Sequence, residues 1–405
     1  MSGAKSGTIT TSRPFSDYFI VVASFFIVLV GIGTSLSFGV FLAPIAQYFH
    51  TGRAEITGAY SLATLVAGFL GIAMGRLNDT LGPKVVVSIC SITVGIGYAL
   101  ASTITSVWQF YLFYGFIVGI GNAGFFVPPL STVARWFVKQ RTLMTGLVLI
   151  GSSIGAMIIP RLAAGLIGSF GWRSAFAILG AGNLVVIAIF AQVLKRCPES
   201  FDSLPSGAKE GENNMQNSGY SFAEALHMRP FWLLCGIFFA FYFCINSVVA
   251  HIVMHASGMG VSLEKAAGIM VVFGGGGIIG RIFIAILGDR MGNKQTCLIC
   301  FVVMFFALLY LVTAVDMFGL TIVSASIGFC FAGIGALIAP LIADYFGLKA
   351  HGMIFGVVYA SDMVGGTIGP VMAGAIFDIT NSYGLAFLLS AAIAFIGCIL
   401  ILLLR

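Results

Sequence analysis

Apolar residues in this chain occur in long runs, broken by short polar stretches. A helix needs about 20 apolar residues to cross a bilayer. Twelve runs reach that length, at roughly 18–42, 55–76, 84–104, 108–132, 142–166, 173–194, 229–254, 264–288, 296–315, 318–343, 352–377 and 382–404. Between the sixth and seventh lies a polar segment rich in Gly, Ser and Asn, which reads as a linker. The pattern predicts an all-α membrane protein with a tail at 1–17, a six-helix bundle at 18–194, a linker at 195–228 and a second six-helix bundle at 229–405.

Composition rules out the soluble alternative. Hydrophobic residues are 59% of the 405 and charged residues only 8%, against about 25% charged in a soluble domain. The +6 net charge reflects few acids rather than a basic patch for nucleic acid. The basic residues sort by side. Fifteen, among them Arg76, Lys84, Arg135, Lys139, Arg141, Lys195, Arg196, Arg290, Lys294 and Lys349, fall in the tail, the linker and alternate loops. Only Arg53, Arg173 and Lys265 fall on the other side. The positive-inside rule then places both termini and the linker in the cytoplasm, with the chain multi-pass in the inner or plasma membrane. The polar N-terminus has no cleavage pattern after a short apolar core and reads as a cytoplasmic tail. The eight cysteines lie mostly in apolar segments. Cys297-x-x-Cys300 has no second pair and no neighbouring His, so these thiols read as small buried residues, and no metal is expected.

The two halves repeat. GRLNDTLGPK (Gly75–Lys84) follows span two and AILGDRMGNK (Ala285–Lys294) follows span eight. Asp79, Gly82 and Lys84 match Asp289, Gly292 and Lys294 at an offset of 210, as do Gly146 with Gly356 and Pro160 with Pro370. Two related bundles around a midplane site describe a transporter. The Asp-Gly-Lys turns are expected to tie neighbouring helices on the cytoplasmic face in one conformational state. Thr80 stands where Arg290 stands in the second copy, so the first should be the weaker latch.

The D-x-x-G-x-K loops, twelve spans and central linker resemble the major facilitator superfamily. Within it, Arg135–Gly180, SLSFGVF (Ser35–Phe41) and HIVMHASGMGVSLEKAAGIM leading to GRIFIAILGDRMG are similar to monocarboxylate transporters, and more distantly to oxalate/formate antiporters. The resemblance implies that spans eight and eleven face a central cavity. It also implies an arginine at Arg281 in the substrate site. The span-one lysine of animal monocarboxylate transporters corresponds to Leu36, and the acid one turn before their arginine to Gly277. Antiporters of the oxalate/formate type carry a lysine where this chain has Asp362.

Residue by residue, Asp362 is the one acid deep in a span, and Arg281 lies some seven residues before the cytoplasmic end of span eight. At 1.5 Å per residue both lie about 10–15 Å from the cytoplasmic boundary and are expected to meet. A guanidinium matches a carboxylate with two parallel hydrogen bonds. Arg281 is therefore the expected anion dock, and Asp362 the expected proton carrier once an anion occupies its partner. His251, near the outer end of span seven, is a candidate relay because histidine titrates near neutral pH. Tyr359, one turn from Asp362, is a candidate lining residue. So are Asn122, Phe126 and Asn246. Gly274–Gly277 permits close helix approach or bending near the site, and lacks the Lys-Ser/Thr of a phosphate loop.

The expected function is secondary active transport of a small, lactate- or pyruvate-like monocarboxylate with a proton, by alternating access. The alternatives are an organic anion exchanger and, in another class, an anion-binding membrane sensor. Enzyme chemistry has no Ser/His/Asp set, metal cluster or nucleotide motif to support it. The expected coupling ion is the proton, with no other cofactor. The expected surroundings are lipid and a small solute, without nucleic acid or an obligatory protein partner.

Overall fold

A computed structural model describes residues 18–137, 141–195, 219–314, 316–347 and 349–404. The tail at 1–17 and most of the linker lie outside the described residues. Twelve long helices follow in order. In the first half they are α1 (Tyr18–Phe49, interrupted at Ser37), α2 (Arg53–Leu81), α3 (Pro83–Ala101), α4 (Val107–Trp136), α5 (141–170) and α6 (172–191). In the second half they are α7 (Arg229–Gly258), α8 (Ile269–Met291), α9 (Asn293–Thr313), α10 (Met317–Phe346), α11 (His351–Thr380) and α12 (Gly384–Leu403). Helices α5 and α6 form one continuous stretch that turns at Gly171, whose φ of 77° no helix contains. With α5 and α6 taken as one stretch, the described residues hold eleven segments with the length and hydropathy of spans. The linker's last residues do take up structure. Ser221 and Glu224 form a capping box on the short helix Phe222–Leu226, and Tyr220 N donates to Phe346 O at 2.9 Å.

Two hydrophobic cores follow the two halves. One joins Ile27, Val94, Tyr114, Phe176 and their neighbours, and the other joins Phe238, Met304, Ile327, Phe387 and theirs. The seven described cysteines are buried free thiols, as small apolar residues would be.

The backbone repeats with the sequence. Positive φ occurs at His50 and Gly260, at Gly82 and Gly292, and at Gly171 and Asn381, each pair 210 residues apart. Gly82 (φ 84°, ψ 158°) and Gly292 (φ 89°, ψ 149°) take the same conformation between two helices. An L side chain is strained there, which accounts for glycine in both copies of the loop motif.

The halves meet through α1 and α7, α2 and α11, and α5 and α8. A Cβ on Gly374 of α11 would stand 2.8 Å from the Ala54 backbone of α2, and one on Gly274 of α8 would stand closer still to the Ser153 carbonyl oxygen of α5. Both approaches are too close for any larger residue. The Gly274–Gly277 run thus serves close helix approach.

Candidate functional site

A cavity of about 230 Å³ lies between the halves, lined by α1, α2, α4, α5, α7, α8, α10 and α11. Its lining reaches Phe355, four residues into α11 from the end bearing the basic loops, and Gly335 on α10, where a built Cβ meets nothing within 4 Å.

Arg281 and Asp362 both line it, with Tyr359, Asn122 and Phe126. Asp362 is 3% exposed, and its Oδ1 is buried without a donor. Arg281 is half-buried, and its Nε is buried without an acceptor. The expected ion pair between the two is not formed, and both line the space between the halves. Their counterparts 210 residues earlier, Gly71 and Ser152, also line the cavity. The pseudo-symmetric positions are therefore filled by charge in one half and by small residues in the other.

Asn122 and Phe126 reach the cavity through a break in α4. Pro128 and Pro129 have no N–H to donate, so the helix is interrupted at residues 123–126 before resuming at Val127. Irregular backbone at this depth is tolerated where it lines a cavity. The proline pair was the signal for this feature. Tyr60, Tyr242, Thr64 and Ser152 also line the cavity, and sequence reasoning did not single them out.

Two candidates are placed elsewhere. Asn246 is 1% exposed and absent from the lining. Pro370 leaves the Gly366 carbonyl without its helical donor, and Asn246 Nδ2 supplies one at 3.0 Å. Asn246 is thus a structural repair of a proline-broken helix. Its Oδ1 accepts from the cavity residue Tyr60 at 3.5 Å. His251 is fully buried at the far end, away from the basic loops. Arg53 donates to Tyr383 Oη (2.7 Å), Tyr383 donates to His251 Nδ1 (2.9 Å), and His251 Nε2 donates to the Pro370 carbonyl (2.9 Å). The tautomer follows from that chain of donors and acceptors. Both ring nitrogens are engaged, and His251 does not touch the cavity.

That chain belongs to a closure the sequence did not reveal. Helix α2 begins after Gly52, which has no side chain to cap it. Asp378, from the end of α11 in the other half, accepts from the backbone N–H of Arg53 (2.8 Å) and Ala54 (2.9 Å). A carboxylate there satisfies two orphan donors and suits the positive end of the helix dipole. The Arg53 guanidinium lies 3.3 Å from the centroid of Phe377.

At the basic end the loop motifs hold neighbours within a half. Asn78 Nδ2 donates to Ser131 Oγ at 3.0 Å. Asn293 Nδ2 donates to Asp344 at 2.8 Å, and Lys294 Nζ donates to the Leu404 carbonyl. Thr80 bonds only to carbonyls of its own helix, whereas Lys84 is exposed. The side chains of Asp79 and Asp289 lie outside the described residues.

Comparison with known proteins agrees with this architecture. The family model of the Major Facilitator Superfamily matches residues 23–324 and 269–405. The agnestins efflux protein AgnL12 of Paecilomyces divaricatus is 25% identical, over 99% of this chain and 92% of its own. Monocarboxylate transporter 13 of Rattus norvegicus is 26% identical, over 94% of this chain and 87% of its own. For monocarboxylate transporter 12 of Homo sapiens the figures are 26%, 94% and 79%. A bacterial homologue of the human lysosomal transporter Spinster, in its inward-facing occupied form, superposes with a TM-score of 0.71 at 17% identity, covering 97% of both chains. The unoccupied inward-facing form gives 0.69 at 18% identity, covering 97% of this chain and 99% of that one. At that identity the likeness is one of fold.

Proposed function

This chain belongs to the major facilitator superfamily, and from that premise we propose that it carries a small organic monocarboxylate across the membrane together with a proton. The supporting observation is that one cavity holds a cation and a carboxylic acid, each with a buried polar atom lacking a protein partner. A solute carboxylate would answer the free guanidinium edge of Arg281 through two charge-assisted hydrogen bonds. A proton on Asp362 removes the cost of burying a lone carboxylate in an apolar wall. Anion and proton together then cross as a neutral set. Tyr359, Asn122 and Phe126 shape the remaining wall around the solute.

The positive-inside reading places the basic loops in the cytoplasm, so the cavity opens inward in this conformation. The Arg53–Asp378 closure then seals the outside. Alternating access would break that closure and bring the basic ends together, where the two loop motifs lie. The glycine-rich contacts between α2 and α11 and between α5 and α8 are small-residue seams on which the halves can rock.

Reconstituted vesicles test this reading. An inward proton gradient should drive uptake of a labelled monocarboxylate with no counter-substrate inside. If uptake ignores the gradient and demands internal organic anion, the protein is an exchanger. If the anion binds without crossing at all, it is a sensor.

A further inference from the structure

Arg161 is the other arginine within a span, and the central cavity does not use it. It sits on α5, ten residues before the turn at Gly171, roughly 15 Å of helix from the far end. Its side chain is exposed, between Ile158 and Leu162, which are 52% and 49% exposed. This face of α5 looks toward lipid. A cation there is costly unless it reaches the interface or finds a counter-charge. Among the described residues Arg161 has no hydrogen-bond or ion-pair partner.

It does line a groove. Met157, Leu162 and Leu166 of α5 and Val271 of α8 form apolar walls, and Glu264, from the segment joining α7 to α8, completes the lining. The groove, about 660 Å³, therefore spans the seam between the two halves. Arg161 and Glu264 make no ion pair with each other. The groove thus presents one cation, one anion and an apolar floor, with Glu264 in the connection at the far end and Arg161 about 15 Å of helix in from it.

We propose that this groove binds a zwitterionic phospholipid with a primary ammonium headgroup: phosphate on Arg161, ammonium on Glu264, and one acyl chain along Met157, Leu162 and Val271. Charge complementarity selects this occupant. An anionic lipid would set its net charge beside Glu264. A quaternary ammonium has no N–H to donate to the carboxylate. Because the seam joins the halves, the lipid would stabilise the arrangement seen here.

Native mass spectrometry of the full chain, titrated with phosphatidylethanolamine, phosphatidylcholine or phosphatidylglycerol, tests it. For the unaltered protein the ethanolamine lipid should bind about tenfold more tightly than either other lipid, the size of one charge-assisted contact. Arg161→Gln should bring all three to a common weak level. Glu264→Gln, on an exposed position that does not threaten folding, should erase the preference for ethanolamine over choline. Equal retention of the three lipids by the unaltered chain would overturn the proposal. So would preferred binding of the glycerol lipid, or an ethanolamine preference that survives both substitutions.

Discussion

Asp378→Ala removes the acceptor that caps α2 from the opposite half, and the structure sets the scale of the effect. Two N–H donors lose a carboxylate held at 2.8 and 2.9 Å. Hydrogen bonds to charged groups contribute about 1.5–3 kcal/mol each when desolvated. Asp378 is exposed, however, so water replaces part of that loss and the helix-cap range of about 0.5–2 kcal/mol is the better guide. A central figure of about 1.4 kcal/mol is a tenfold change in population. The bonds exist only while the far end is closed, so their loss should raise the far-end-open population about tenfold relative to the closed one. Asp378→Asn keeps one acceptor oxygen and should give a smaller shift in the same direction. Spin labels at Ser102, beyond α3, and Thr313, at the end of α9, sit at the far end of opposite halves. Pulsed electron resonance between them reads the separation. If the distance distribution of Asp378→Ala overlays that of the unaltered protein, the contact does not hold the halves together and the closure lies elsewhere.

Other substitutions separate binding, coupling and scaffold. Arg281→Ala should weaken anion binding by about two orders of magnitude, the loss of a two-bond charged contact, while the melting temperature stays near that of the parent. Isothermal titration with retained affinity would remove Arg281 from the site. Asp362→Asn should leave anion exchange intact but abolish uptake driven by a proton gradient; gradient-driven uptake in that variant would assign the proton elsewhere. Asn246→Leu should cost about 1 kcal/mol of stability, because the Gly366 carbonyl loses its donor inside the membrane. Its substrate Kd should change less than twofold, and a larger change would return Asn246 to the binding site.

The architecture was legible because its causes are long and local. Run length marks a span, and the 210-residue offset of the two Asp-Gly-Lys turns announces the duplication that the positive-φ positions then repeat. Arg281 and Asp362 were legible for a related reason, since a charge amid apolar residues needs explaining wherever it lies. Their separation was not, because spacing gives depth along a helix but not the width of the gap between two. Asn246 and His251 are polar residues on a span that faces the centre, and composition alone cannot tell a solute ligand from a partner for a proline-freed carbonyl. Pro370 was visible, and its missing N–H predicts an orphan carbonyl at Gly366 four residues earlier. The Asp378 cap joins residues 324 and 325 positions apart, with no local signal beyond a bare glycine at the start of α2.

The unequal filling of equivalent positions bears on how such a carrier can move. Gly71 and Ser152 stand where the second half has Arg281 and Asp362, and all four face the same cavity. Had each half carried one of the charges, a pair across the cavity would bind the halves whenever it formed. Breaking a buried pair leaves two unpaired charges, at about 3–5 kcal/mol. With both charges on one half, no such pair needs to be broken when the halves rock. On the function proposed above, the solute and its proton would be held mainly by the second half, and the first half would meet them with apolar side chains and neutral polar groups, Asn122, Tyr60 and Ser152 among them. The bonds that cross between the halves at the far end are two backbone donors on the exposed Asp378 and one guanidinium on Tyr383, which is itself buried. Water can replace the two bonds to Asp378 at small cost. Strong electrostatics in the solute site and weak, replaceable contacts in the closure are the division of labour that lets one conformation bind without being trapped there.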